Sequence, residues 1–213
     1  VTTWYDQTGN GNHATSTVAT EQPKIVNSGV IIKYANGSGT NRPYFGSSTT
    51  SLFEHLSVPS AIYAGWTAAT AFAAWVQGSY NGAAAQGAPY TFSKDQVIHH
   101  IPYQNSNAYY GLFSTTRLGP LGMGVAHNLN VPTINAQMHT GTTSHLYKDG
   151  VQIGTGVAAP ALENSGLFNS VILAAAANSL TAATIGEFVM YDTALSAGDL
   201  ASINAYLAAG YMD

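Results

Sequence analysis

Cysteine is absent from the chain, and with it go disulfide bridges, thiolate metal sites and cysteine nucleophiles. Charge is almost as scarce. Asp, Glu, Lys and Arg make up 8% of residues, against about 25% in ordinary soluble domains. The 6 Lys and Arg are scattered singly, so no basic patch exists to neutralise phosphates, and a nucleic-acid partner is excluded. A formal net charge of −4 offers little long-range steering toward anionic lipid. No apolar run approaches the ~20 residues of a membrane span; Ile172-Leu173-Ala174-Ala175-Ala176-Ala177 is at most a short buried strand. The chain starts at Val1 with no signal-peptide pattern. It is expected to be a piece of a longer polypeptide, or a processed product, beginning inside a strand.

Ser, Thr, Asn, Gln, Gly and Ala take the place of charge. Hydrophobic residues reach 46%, with 13 Tyr, 7 Phe and 3 Trp, enough for a substantial core in 213 residues. One all-β domain over 1–213 is the natural reading at this length. Period-two alternation and turn punctuation run through the chain. Strands are expected at 1–5, 24–25 leading into 30–34, 71–77, 90–92, 96–101, 108–113, 122–126, 133–139, 144–148, 151–154, 171–175 and 184–191. Between two of them stands Asp149-Gly150, a strong hairpin signal because both turn residues must take positive φ. A single helix is expected over 197–209. Ser196 and Asp199 have capping-box spacing. Leu200, Ile203 and Leu207 form its apolar stripe, and Gly210 offers a left-handed C-cap. The Gly-, Ser-, Asn- and Ala-rich stretches 35–50, 81–89 and 119–124 read as loops, which in a sandwich gather at the two ends.

Two motifs bracket this pattern. Near the start stands Trp4-Tyr5-Asp6-Gln7-Thr8-Gly9-Asn10-Gly11-Asn12-His13-Ala14, a strand feeding a tight polar loop. Near the end runs Ile185-Gly186-Glu187-Phe188-Val189-Met190-Tyr191-Asp192-Thr193-Ala194-Leu195-Ser196. Together they resemble the opening loop and closing strand of concanavalin A-like, laminin-G-like jelly-roll modules of phage and bacterial extracellular proteins. Leu146-Tyr147-Lys148-Asp149-Gly150-Val151 looks like the hairpin of the same modules. The resemblance implies a two-sheet antiparallel β-sandwich, a jelly roll with one short C-terminal helix. It also implies an extracellular setting, on a virion or a bacterial cell surface. That fold hosts lectins, hydrolases and structural spacers alike.

Four groups of residues bear on function. The 6–13 loop has the Asp, Asn, Thr and Gly of a polar turn whose side chains bond nearby amides. If it instead holds calcium, Asp6, Asn10 and Asn12 are the oxygen ligands.

Glycoside hydrolysis needs two carboxyl groups, and there are 10 acidic residues to supply them. Asp149 is committed to a turn, Asp199 to a cap, Asp213 to the terminus, and Asp6, Glu187 and Asp192 to the two end motifs. Glu21, Glu54, Asp95 and Glu163 remain, with no shared motif. The first motif is also close to one in arabinofuranosidase B-type hydrolases, where an Asp follows an Ile-Leu strand as the general acid. Here that position falls on Ala177 or Asn178, neither of which donates an acid proton. The nucleophile's string has two landings: residues 109–113, which lack a carboxylate, and residues 162–168, which keep Glu163.

Adjacent His99 and His100 would point to opposite faces of a strand. With His127, His139 and His145 on separate segments, surface or hydrogen-bonded core histidines are expected rather than zinc ligands. Finally, aromatic faces stack on sugar rings while amides bond hydroxyls. The loops supply Tyr80, Asn81, Tyr103, Asn105 and Tyr109 as candidate glycan contacts, whereas Trp4, Trp66 and Trp75 are assigned to the core.

Three functions follow. The first is a non-enzymatic, lectin-like module that attaches to a cell-surface glycan as part of a larger assembly, with no resident cofactor unless calcium. The second is a structural or decoration module packing on neighbouring subunits. The third is an arabinofuranosidase-like hydrolase.

Overall fold

The computed structural model describes residues 1–31, 45–46, 55–80, 90–93, 131–158, 169–172 and 181–212. In chain order these form β1 (Thr3–Trp4), β2 (Ala14–Thr15), β3 (Val26–Asn27), β4 (Val30–Ile31), β5 (Phe45–Gly46), β6 (Leu56–Val58) and β7 (Ala69–Tyr80). They continue as β8 (Tyr90–Ser93), β9 (Pro132–His139), β10 (Thr143–Lys148), β11 (Val151–Ala158), β12 (Asn169–Ile172), β13 (Thr181–Tyr191) and the helix α1 (Ala197–Tyr211). One sheet runs β1-β2-β6-β12-β8 and the other β11-β10-β9-β7-β13-β5, and β3 and β4 make a separate hairpin. All of these pairings are antiparallel. The expected strands at 96–101, 108–113 and 122–126 lie outside the described residues.

The two sheets pack face to face, as expected of a β-sandwich. Ala14, Leu56 and Val58 of the first sheet meet Ala69, Ala71, Ala73, Trp75 and Ile185 of the second. The opposite side of β7, carrying Phe72, Ala74 and Val76, faces Leu207 and Tyr211 of α1. β7 is therefore covered on both faces, which explains why its sequence is a continuous apolar run instead of an alternation. The register pairs Ala73 with Asn135 and Ala71 with Gln137, so the buried polar residues of β9 lie on the inner side. There the Trp75 indole N–H donates to Asn135 Oδ1 at 2.6 Å.

Local chemistry explains the turns. Asp149 and Gly150 take φ of 50° and 81°, as the hairpin between β10 and β11 demands. Asp149 is also tied to β9: its Oδ1 accepts from the Ile134 amide at 2.8 Å. Ser28 and Gly29, at φ 50° and 81°, turn β3 into β4 in the same way. At the start of α1, Ser196 Oγ accepts from the Asp199 amide at 3.2 Å while its hydroxyl donates to the Asp199 carboxylate at 2.6 Å.

The helix does not stop at Gly210. It continues to Tyr211, with Met212 as a right-handed C-cap whose amide donates to the Ala208 carbonyl. Packing overrides the glycine's tendency to terminate: Tyr211 is buried against the sheet, and its hydroxyl donates to the Gly186 carbonyl at 3.1 Å. A shift of register between Ile185 and Glu187 sets Gly186 at a bulge in β13. This re-aims the strand so that Glu187, Val189 and Tyr191 look toward α1 while Phe188 and Met190 look into the sandwich.

Candidate functional site

The two motifs that bracket the sequence meet in space. A cleft of about 780 Å³ lies between the loop after β1 and the last strand, lined by residues 4–8 and 186–192 with Asn10, Asn12 and Trp66. Its volume is in the range of small-ligand sites. No single stretch of sequence contains it, because its walls come from opposite ends of the chain.

One wall is the polar loop. Asp6 organises it: Oδ1 accepts from the Thr8 amide at 2.8 Å and the Thr8 hydroxyl at 2.7 Å, and Oδ2 from the Asn12 amide at 3.0 Å. The Thr8 hydroxyl above all, then the Thr8 amide and more weakly the Asn12 amide, hold the Asp6 carboxyl below its ordinary value. Asp6 is thus an ionised acceptor, not a proton donor, and both of its oxygens already serve the turn. The Asp6 amide donates to His13 Nδ1 at 3.1 Å. The His13 ring meets Tyr5 edge-on, with centroids 5.0 Å apart. This brace holds an aromatic ring that is 63% exposed. Trp4 and Trp66 stand half-buried at the floor, packed against the inner core, and Trp66 meets Tyr63 edge-on at 5.2 Å.

The other wall is β13. Glu187 accepts from the Tyr206 hydroxyl at 3.1 Å and from the Tyr211 hydroxyl at 3.1 Å. The carboxylate is therefore held by two phenols of α1. Tyr191 lies further along, and burial, then the charges of Asp199 and Glu187, push its phenol above the usual value. It stays protonated and can donate. Asp192 follows it, exposed at the end of the strand.

Asp6, Asn10 and Asn12, named from the sequence as oxygen ligands if calcium is held, all line the cleft. Among the described residues no group of three or more His, Asp or Glu is arranged to hold a metal ion. Tyr80 closes β7 opposite Thr181; Asn81, Tyr103, Asn105 and Tyr109 lie outside the described residues, as do Glu163, Ala177 and Asn178. His139 is the buried, hydrogen-bonded histidine expected, its Nδ1 accepting from the Gly141 amide at 2.9 Å. Trp75 is fully in the core, whereas Trp4 and Trp66 reach both core and cleft. Sequence reasoning assigned Glu187, Tyr191 and Asp192 to the fold alone. Their one legible signal was that acidic and aromatic residues recur in both end motifs.

No protein-family model and no curated protein sequence matches the chain. Among solved structures, a sialidase of Trypanosoma rangeli in complex with sialic acid is similar over 98% of this chain and 31% of its own length. The TM-score is 0.58 and the identity 11%. The chain therefore spans about a third of that protein, and the likeness is one of fold. The botulinum neurotoxin serotype G binding domain has a TM-score of 0.49 at 8% identity, covering 93% of this chain and 49% of its own. Domain 4 of AbnA, an extracellular arabinanase of Geobacillus stearothermophilus solved with arabinotriose, has 0.48 at 10% identity, covering 76% and 81%. At those scores neither bears on function here.

Proposed function

We propose that the chain is a non-catalytic glycan-binding module of an extracellular assembly, in keeping with its resemblance to concanavalin A-like modules. The observation that carries this reading is the cleft, where Trp4, Tyr5, Trp66 and Tyr191 stand among Asp6 and Glu187. A sugar ring offers an apolar C–H face and a rim of hydroxyls. Aromatic faces take the first, and carboxylates and amides the second. Recognition of this kind needs a few placed polar groups in a largely preformed apolar site.

The test is titration calorimetry against a panel of oligosaccharides printed first as an array. Binding is expected in the micromolar to millimolar range, and Tyr5→Ala weakens it about tenfold with little change in melting temperature, since that ring is largely exposed. Unchanged affinity in Tyr5→Ala and in Trp66→Ala would move the site elsewhere, to the other candidates named from the sequence, such as Tyr80 and Tyr109.

A second reading, packing against neighbouring subunits, draws on the β3–β4 hairpin. It presents Ile25, Val26, Val30 and Ile31, all exposed, with Val30 at 70%. Sedimentation velocity decides it: concentration-dependent association abolished by Val30→Lys favours a decoration role.

A further inference from the structure

Resting on the glycan-binding reading of the cleft, we propose that it accepts uncharged or amine-bearing sugars and rejects sugars that carry a carboxylate. The described residues lining it include Asp6, Glu187 and Asp192 and no Lys, Arg or His. Among the described residues, every full charge lining the cleft is negative. Recognition of a sialic or uronic acid calls for a guanidinium, an ammonium or a set of converging N–H donors to meet its carboxylate.

Several donors at the cleft are already turned onto its own carboxylates. The amides of Thr8 and Asn12 point at the Asp6 carboxylate, and the hydroxyls of Tyr206 and Tyr211 point at Glu187. The donors left at the described lining, among them the Tyr191 hydroxyl and the Asn10 and Asn12 side-chain amides, are neutral, whereas its charged groups are all acceptors. Carboxylate oxygens accept from sugar hydroxyls and from a protonated amine, and they repel a second carboxylate. At physiological salt, charges within about 8 Å still act on one another, so a ligand seated against the described lining meets negative charge there. The similarity of fold to a sialidase therefore does not extend to the kind of sugar taken here.

The experiment uses the whole chain and an array on which each neutral glycan is printed beside its sialylated and uronate-bearing counterparts and a glucosamine-bearing one. Hits are followed by titration at 0.15 M and 1 M NaCl. The expected result is binding of neutral and amine-bearing members, with the acidic counterparts at least tenfold weaker. That gap should narrow severalfold at 1 M NaCl, where screening shortens to about 3 Å. It should narrow likewise in Asp192→Lys, an exposed position whose replacement leaves the core alone.

Acidic counterparts binding as tightly as neutral ones would overturn the proposal while leaving the module a glycan binder. A gap that ignores both salt and Asp192→Lys would overturn it too, by showing that shape and not charge discriminates. Binding to no member of any class would remove the glycan reading on which it rests.

Discussion

The ring of Tyr211 occupies the space that a side chain on residue 186 would need. A Cβ placed on Gly186 would fall within contact distance of Tyr211 Cε1 and Cδ1, and the one hydroxyl proton of the same tyrosine is shared between the Gly186 carbonyl and the Glu187 carboxylate. One residue thus fastens the helix to the sheet and orients a carboxylate of the cleft. Gly186→Ala should force the ring or the strand aside, and overpacking of this kind costs about 1–3 kcal/mol. A lower melting temperature is expected, together with weaker ligand binding. An unchanged melting curve would mean that Tyr211 does not press on the bulge.

Trp75 and Asn135 form the second pair to test. Their 2.6 Å bond crosses two strands in the buried inner layer. Asn135→Ala removes the acceptor and opens a small void beside the indole. About 1–3 kcal/mol should be lost, the range for stranding a buried donor. Denaturant unfolding followed by tryptophan fluorescence measures it, and a loss below a few tenths would show that the indole readily finds another acceptor.

For Asp6 the sign of the pH dependence is fixed by its bonds. The Thr8 and Asn12 donors hold the folded-state carboxyl below 3.8. A depressed folded value gives stability that is present above the unfolded value and is lost as pH falls through the folded one. Asp6→Ala should therefore melt lower than wild type at neutral pH, with the difference shrinking below about pH 4. A difference that stays constant through that window would take the charge out of the account. If a chelator lowers the wild-type melting temperature and calcium restores it, the loop is a metal site as well as a turn.

Asp149 serves two ends at once, taking φ of 50° and accepting from the Ile134 amide. Asn tolerates the same backbone region and keeps an acceptor, so Asp149→Asn should retain most of the stability. Asp149→Ala loses both and should cost about 1–3 kcal/mol. Equal melting temperatures for the two variants would remove the Ile134 bond from the explanation.

Much of the sandwich could be read before any coordinates, because its long strands and its turns are local. Asp149-Gly150 announces its hairpin, Ser196 its helix, and the 133–139 and 184–191 strands their alternation. β2, β5 and β6 were missed, β5 inside the 35–50 stretch read as a loop, since strands of two and three residues carry too few side chains to show a period. The helix end was misread because Gly210 gives a local signal while Tyr211 is held by a strand 25 residues away. The cleft was not legible for the same reason on a larger scale. Glu187 has no visible function until α1 lays two phenols on it and the 6–12 loop arrives opposite.

The order of strands also sets a clock on synthesis. β7 gains β9 as its neighbour on one side, but its other side waits for β13, whose Tyr191 pairs with Thr70. Roughly 50 further residues must be made after β9 before that edge is closed, which at about 5–20 residues per second leaves it open for several seconds. Through that interval the apolar run around Phe72 and Trp75 is an exposed template for a second nascent chain. Recoding that slows translation between residues 140 and 190 should send more of this protein into aggregates, with no change in its amino-acid sequence.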